Sequence, residues 1–162
     1  MKIYVGAKYC ERGAAKRLMA ELVRQGHKIT VDWTNHTKED AESLTFYAQE
    51  DIRGVKQANV AIFIFENPHK YKGCWVEMGA ALAKGRKVIL IGKAGQSCVF
   101  VSHPKVMTIS SMDNFLKLPL TSWLKGNRPA EEFIDSNPNW GKLEGCTEPV
   151  TVPYKLEPEV KL

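Results

Sequence analysis

Five short apolar runs rich in β-branched residues, kept apart by helix-like stretches, limit this chain more than any other feature. They are residues 2–6 (KIYVG), 28–33 (KITVDW), 59–65 (NVAIFIF), 87–92 (KVILIG) and 105–109 (KVMTI). Between the first two, Ala14, Ala15, Leu18, Met19, Leu22 and Val23 recur at helix spacing, and Gly26 ends the pattern. After the second, TKED (37–40) reads as a helix start, with Thr37 as cap and acids in the first turn. Leu44, Ala48, Ile52 and Val55 then form the expected apolar stripe, and SMDNFLKL (111–118) reads as a short last helix.

Strands that are apolar almost throughout and alternate with helices belong in a parallel sheet covered on both faces. Five of them favour an α/β, flavodoxin-like (Rossmann-like) three-layer sandwich with strand order 2-1-3-4-5. Ligands of such sheets bind at the carboxyl ends of the strands, where the order reverses between strands one and three. The loops GAKYCERG (6–13) and ENPHKYKG (66–73) are therefore the ones that matter.

Residues 1–125 hold 19 Lys/Arg against 11 Asp/Glu, a balance of +8, whereas residues 126–162 hold 4 against 7, a balance of −3. A basic body suits a phosphorylated small molecule; its basic residues are dispersed rather than clustered with aromatics, which disfavours nucleic acid. Residues 126–162 also carry five of the eight prolines, with Phe133, Trp140, Val150, Val152 and Tyr154 among them. The expected organisation is one domain over 1–125 and an irregular, Pro-rich extension over 126–162 that packs on its own body or on a neighbouring subunit. Cys10, Cys74, Cys98 and Cys146 are scattered, and the four histidines lack metal-ligand spacing. Reduced thiols, a cytoplasmic setting, no structural metal and no membrane span are the expectations, and MKIYVGAKYC reads as a first strand rather than a signal peptide.

Two carboxylates fall where the pattern is apolar. Glu77 lies among Trp75, Val76, Met78, Ala80, Ala81 and Leu82, in the first turn or so of a helix expected to open near Gly73. It is either a solvated partner of the helix dipole or an anion held at the crevice. Asp51 falls inside the arc spanned by Leu44, Tyr47, Ala48 and Val55, on the core-facing side. It is either tied to a backbone N–H, Arg53 or Lys56, or protonated by burial. One acid kept ionised by a helix end and another kept protonated by burial would make a nucleophile and general-acid pair, the parts that cleavage of a glycosidic bond needs.

Three stretches read together resemble the nucleoside 2-deoxyribosyltransferase family, including its deoxynucleoside 5′-monophosphate N-glycosidase branch. They are KIYVGA (2–7), EDIRGVKQANVAIFIF (50–65) and GCWVEMGAALAKGRKVILIG (73–92). CVFVSHPKV (98–106) is similar to a fourth family stretch, with Cys98 where Asn is usual. The likeness covers residues 1–118. It implies that Glu77 is the nucleophile of a deoxyribosyl-enzyme intermediate, that Asp51 handles the proton of the leaving base, and that Tyr4 steadies the nucleophile. By its place in the apolar run alone, Tyr4 is a core aromatic of a buried strand. Gly6, Ala7, Lys8 and Arg12 of the first loop and Tyr71, Lys72 and Gly73 of the second are substrate-binding candidates, with Ser97 or Ser102 standing in for the missing Asn. Tyr71 occupies the place of a base- or phosphate-binding residue; Lys70 and Lys72 beside it either meet a 5′-phosphate or are solvated loop charges. The resemblance further implies a deoxynucleoside or deoxynucleotide substrate, no cofactor, and a homo-oligomer of two or more subunits. A TIR-like NAD glycohydrolase and a non-catalytic nucleotide-binding module are the alternatives.

Overall fold

The computed structural model describes residues 1–36, 41–68, 70–94, 98–118 and 120. Strands and helices alternate: β1 (Lys2–Gly6), α1 (Arg12–Arg24), β2 (Lys28–Ile29), α2 (Ala41–Gln57), β3 (Val60–Ile64), α3 (Lys72–Ala83), β4 (Lys87–Ile91), β5 (Val106–Ile109) and α4 (Met112–Leu116). Short 3₁₀ turns at Tyr9–Glu11, Trp33–Asn35 and Val99–Ser102 stand in the loops. All four strand pairings are parallel and the order is β2-β1-β3-β4-β5, as the run pattern implies. Every residue of β3 is buried, as are four of the five in β4. That is why these two runs are apolar without alternation.

Right-handed crossovers put α1 on one face of the sheet and α2 and α3 together on the other. α1 buries Ala15, Leu18, Met19 and Leu22. α3 turns Cys74, Met78 and Ala81 inward. The register sets Tyr4 opposite Ala61 and Gly6 opposite Phe63. Alternation along β1 then sends Tyr4 and Gly6 to the same face. Of the described residues, no helix is long and apolar enough to cross a membrane.

Two elements depart from the sequence pattern. β2 stops at Ile29, although Thr30 N–H still reaches Ile3 O at 3.0 Å. Asp32 then accepts from Thr34 N–H and starts a 3₁₀ turn, which swings the Trp33 indole inward to donate to Val5 O at 2.6 Å. The stripe expected on α2 holds only at its end. Val55 is fully buried and Ile52 half-buried, but Ala48 is exposed, as are Leu44 (52%) and Phe46 (54%). The cause is length: 17 residues of helix span about 26 Å, whereas a five-residue strand spans about 17 Å. α2 runs antiparallel to the strands, so its first turns overhang their carboxyl ends. The Thr37 cap, Ser97 and the extension over 126–162 lie outside the described residues.

The end of β4 rests on one backbone position. Gly92 has φ +99°, and a Cβ there would lie 2.4 Å from Phe65 O. Its N–H pairs with Ile109 O at 2.7 Å, which joins β4 to β5. Gly92→Ala is expected to cost about 2 kcal/mol or more, read as a lower midpoint in urea unfolding followed by circular dichroism.

Candidate active site

The carboxyl end of β1 and the second turn of α3 meet at one carboxyl group. Helix α3 opens at Lys72, so Glu77 is its sixth residue, on the same side as Cys74 and beside the inward-facing Met78. Glu77 Oε2 points at Gly6, where a Cβ would lie 2.8 Å from it and 2.6 Å from the Phe63 ring. Glu77 Oε1 faces Gly73, whose Cβ would lie 3.8 Å away. Only a residue without a Cβ at position 6 lets the acid approach β1 this closely. Oε2 is buried and has no hydrogen-bond partner, and the same is true of Asp51 Oδ1.

Tyr4 links the two acids. It is fully buried, and its phenol is close enough to both carboxyl groups to hold their pKa values down. Burial raises the Tyr4 pKa far above the usual phenol value, and the charges of Glu77, Asp51 and Cys74 add to the effect. The phenol is therefore a fixed proton donor to the carboxylates across the whole working range of pH. Burial pushes the Glu77 carboxyl up to about 7, the Asp51 charge pushes the same way, and Tyr4 opposes them. Asp51, on α2, is pushed up to about 6, chiefly by burial; His36 and Tyr4 oppose and Glu50 adds.

Burial thus raises Glu77 as it raises Asp51, whereas the sequence leads one to expect a helix end that keeps Glu77 ionised and burial that keeps only Asp51 protonated. The reason is position. One turn inside the helix, Glu77 gets little from the terminal N–H groups, whose influence is confined to the first turn. It is also the more deeply set of the two acids, beside Gly6 and Tyr4. Asp51 shares its surroundings with His36, which stacks on Tyr47 with centroids 3.7 Å apart and meets Glu50 at 3.3 Å. The Tyr9 hydroxyl donates to His36 O at 2.7 Å, closing this side of the crevice.

Five of the residues singled out in the sequence thus come together: Glu77, Asp51, Tyr4, Gly6 and Gly73. The rim candidates are more dispersed. Ala7 and Lys8 are half-buried, and Lys70 and Lys72 are exposed. Arg12 lies over the Tyr9 ring at 4.6 Å and donates to Tyr9 O. Tyr71 differs most from its expected place at the rim. It is 2% exposed, its ring tilted against Phe65 with centroids 4.3 Å apart, and its hydroxyl turned to Glu11 and to the Asn67 backbone. A large ring fills the space under the loop, so it belongs to the wall and not to the mouth. Sequence reasoning missed Glu11, His36 and Glu50. For Glu50 a signal existed, since His36 precedes the helix by the length of one loop; Glu11 looked like an ordinary first-turn acid.

The family model described as nucleoside 2-deoxyribosyltransferase matches residues 3–116. Among solved structures, a 2-deoxyribosyltransferase from Bacillus psychrosaccharolyticus is similar, with 18% identity, a TM-score of 0.60, and coverage of 75% of this chain and 95% of that one. The Clostridium botulinum CMP N-glycosidase BcmB is similar too, at 18% identity and a TM-score of 0.53, with 72% of this chain and 95% of that one covered. No curated protein matches the chain in sequence.

Raised carboxyl pKa values have a consequence for stability. The folded chain holds a proton at Glu77 up to about pH 7, whereas the unfolded chain releases it near pH 4.5, so stability falls as pH rises through that window and is level above it. Glu77→Gln removes the penalty. At pH 8 the variant should be more stable than the parent by on the order of 2–3 kcal/mol, and at pH 4 the difference should vanish, as measured by urea unfolding at both pH values.

Proposed function

The chain belongs to the nucleoside 2-deoxyribosyltransferase family, and from that premise we propose that it cleaves the N-glycosidic bond of 2′-deoxyribonucleosides or their 5′-monophosphates through a deoxyribosyl–Glu77 intermediate. The observation that carries this reading is a pair of buried carboxylate oxygens without partners, Glu77 Oε2 and Asp51 Oδ1, on two acids that both feel the buried Tyr4 phenol. A carboxylate left without a donor in a dry crevice is costly in a purely structural role and useful toward a positively charged carbon.

In the proposed first step, Glu77 Oε2 forms a bond to C1′ as the bond from C1′ to the base nitrogen breaks. The electron pair leaves with the base, and the Asp51 carboxyl gives that base its proton. Positive charge at C1′ develops readily because no 2′-hydroxyl withdraws electrons. Tyr4 donates to the nucleophile and keeps its own proton throughout. In the second step water or another base attacks C1′, Asp51 takes up the proton released, and Glu77 is freed. The crevice lies at the switch between β1 and β3, where parallel sheets bind ligands. Lys8, Arg12 and Lys72, with Lys70, supply a basic rim that suits a 5′-phosphate. No cofactor is needed.

A homo-oligomer accords with the apolar residues exposed on the helices, Leu44 and Phe46 on α2 and Val76 on α3. Light scattering behind size exclusion should give at least twice the monomer mass; a monomer at 50 μM would refute the oligomer.

The chemistry is tested by incubating the protein with deoxynucleosides, deoxynucleoside monophosphates, CMP and NAD and separating free base by chromatography. Base from a deoxy substrate is the expected result, whereas nicotinamide from NAD or tight binding without release would support the two alternatives. Glu77→Ala should abolish release with the fold intact. Asp51→Asn should slow it by about 10²–10⁴-fold, less for substrates whose leaving base needs no proton.

A further inference from the structure

A third acid, apart from Glu77 and Asp51, joins the two loops that flank the crevice. Glu11 is 9% exposed and closes the 3₁₀ turn after β1. Its Oε1 accepts from Asn67 Nδ2 at 2.6 Å and faces the Tyr71 hydroxyl at 3.0 Å. That hydroxyl also lies 2.9 Å from Asn67 O and accepts from Asn67 N–H at 3.3 Å. Glu11 Oε2 is buried without a partner. Asn67 and Tyr71 belong to the loop between β3 and α3, and Tyr71 is the residue immediately before α3. Its ring is locked on Phe65, and Phe65 in turn packs against Trp75 of α3 at 4.6 Å.

We propose that Glu11 is a positioning residue: its carboxyl clamps the β1–α1 loop to the start of α3 and so fixes where Glu77 stands against Gly6 and Tyr4. The clearance is narrow. Glu77 Oε2 already lies where a Cβ on Gly6 would be 2.8 Å from it, so a drift of about 1 Å at the head of α3 would part the acid from β1 and admit water. Two hydrogen bonds from different parts of one loop to a single oxygen resist such a drift. Cys74, one turn before Glu77, feels the charges of both Glu77 and Glu11, so the clamp and the nucleophile both lie near the same thiol. A carboxyl at the head of α3 also complements the partial positive charge there. The inference rests on reading Glu77 as the reacting acid, and its test keeps the two apart.

The groups that face Glu77 are Tyr4 from β1, Asp51 from α2 and Cys74 on its own helix. Carbon-13 titration of the Glu77 side-chain carboxyl, assigned through Glu77→Gln, reports its surroundings whether or not substrate turns over. In Glu11→Ala the titration midpoint should fall by about one unit toward the ordinary glutamate value, and kcat for base release should fall about tenfold or more with KM changed little. Glu11→Gln keeps an acceptor oxygen for Asn67 and Tyr71 without the charge and should restore both. Should Glu11→Ala fail to fold, Tyr71→Phe and Asn67→Ala each remove one arm of the clamp and should shift the midpoint the same way. An unchanged midpoint in a folded clamp variant, or Glu11→Gln as impaired as Glu11→Ala, overturns the proposal. A wild type that releases no base, with the midpoint shift intact, overturns the function and leaves the clamp standing.

Discussion

Two carboxyl groups and one phenol share a space from which water is largely excluded, and most of the local architecture answers to that. An isolated anion in such a place is expensive, and two are more so. The chain lowers the expense with a single phenol, Tyr4, which favours the charged form of both acids. Holding the hydroxyl there needs a strand with no freedom, and Tyr4 sits in the middle of β1 with β2 on one side and β3 on the other. Bringing Glu77 up to it needs a missing side chain at Gly6. The parallel sheet is thus a device for fixing a phenol, and its crossovers deliver one acid each from α2 and α3 to the same face.

Much of this was legible before any coordinates. Nearly continuous apolar runs can only be strands covered on both sides, so the sheet and its order followed from a pattern with few alternatives. Glu77 and Asp51 stood out because each broke an apolar face, and a charge is visible against such a background. Tyr4 did not stand out. A tyrosine in a buried strand looks like any other core aromatic, and its role here depends on what lies opposite, which local pattern does not encode; the family resemblance supplied it.

The misreadings share a physical origin. Periodicity says which residues share a helix face and nothing of how far the helix outruns the sheet it packs on. Leu44 and Ala48 are in phase with Val55, yet they stand beyond the strand ends. The apolar run KITVDW suggests a strand of six residues, but β2 ends at Ile29; Val31 and Trp33 are buried all the same, Trp33 from a 3₁₀ turn whose start is set by Asp32. The family resemblance puts Tyr71 among the substrate-binding candidates, whereas its ring is apolar enough to take the wall and leave Lys70 and Lys72 in water. Glu11 escaped notice because its partners are 56 and 60 residues away.

Burial of both acids bears on how such a site would work. It raises both carboxyl pKa values, and the charge of Asp51 raises that of Glu77 further, so near neutral pH the pair tends to share one proton. The proposed reaction needs that proton on Asp51 and the charge on Glu77. A sugar placed against Glu77 brings a carbon on which positive charge develops, and that favours the anion there over the anion at Asp51. A base nitrogen placed against Asp51 offers an acceptor for a proton, and that favours the acid there. Both contacts move the proton the same way and neither does so without the substrate. Filling the crevice would then set the shared proton where the proposed reaction needs it.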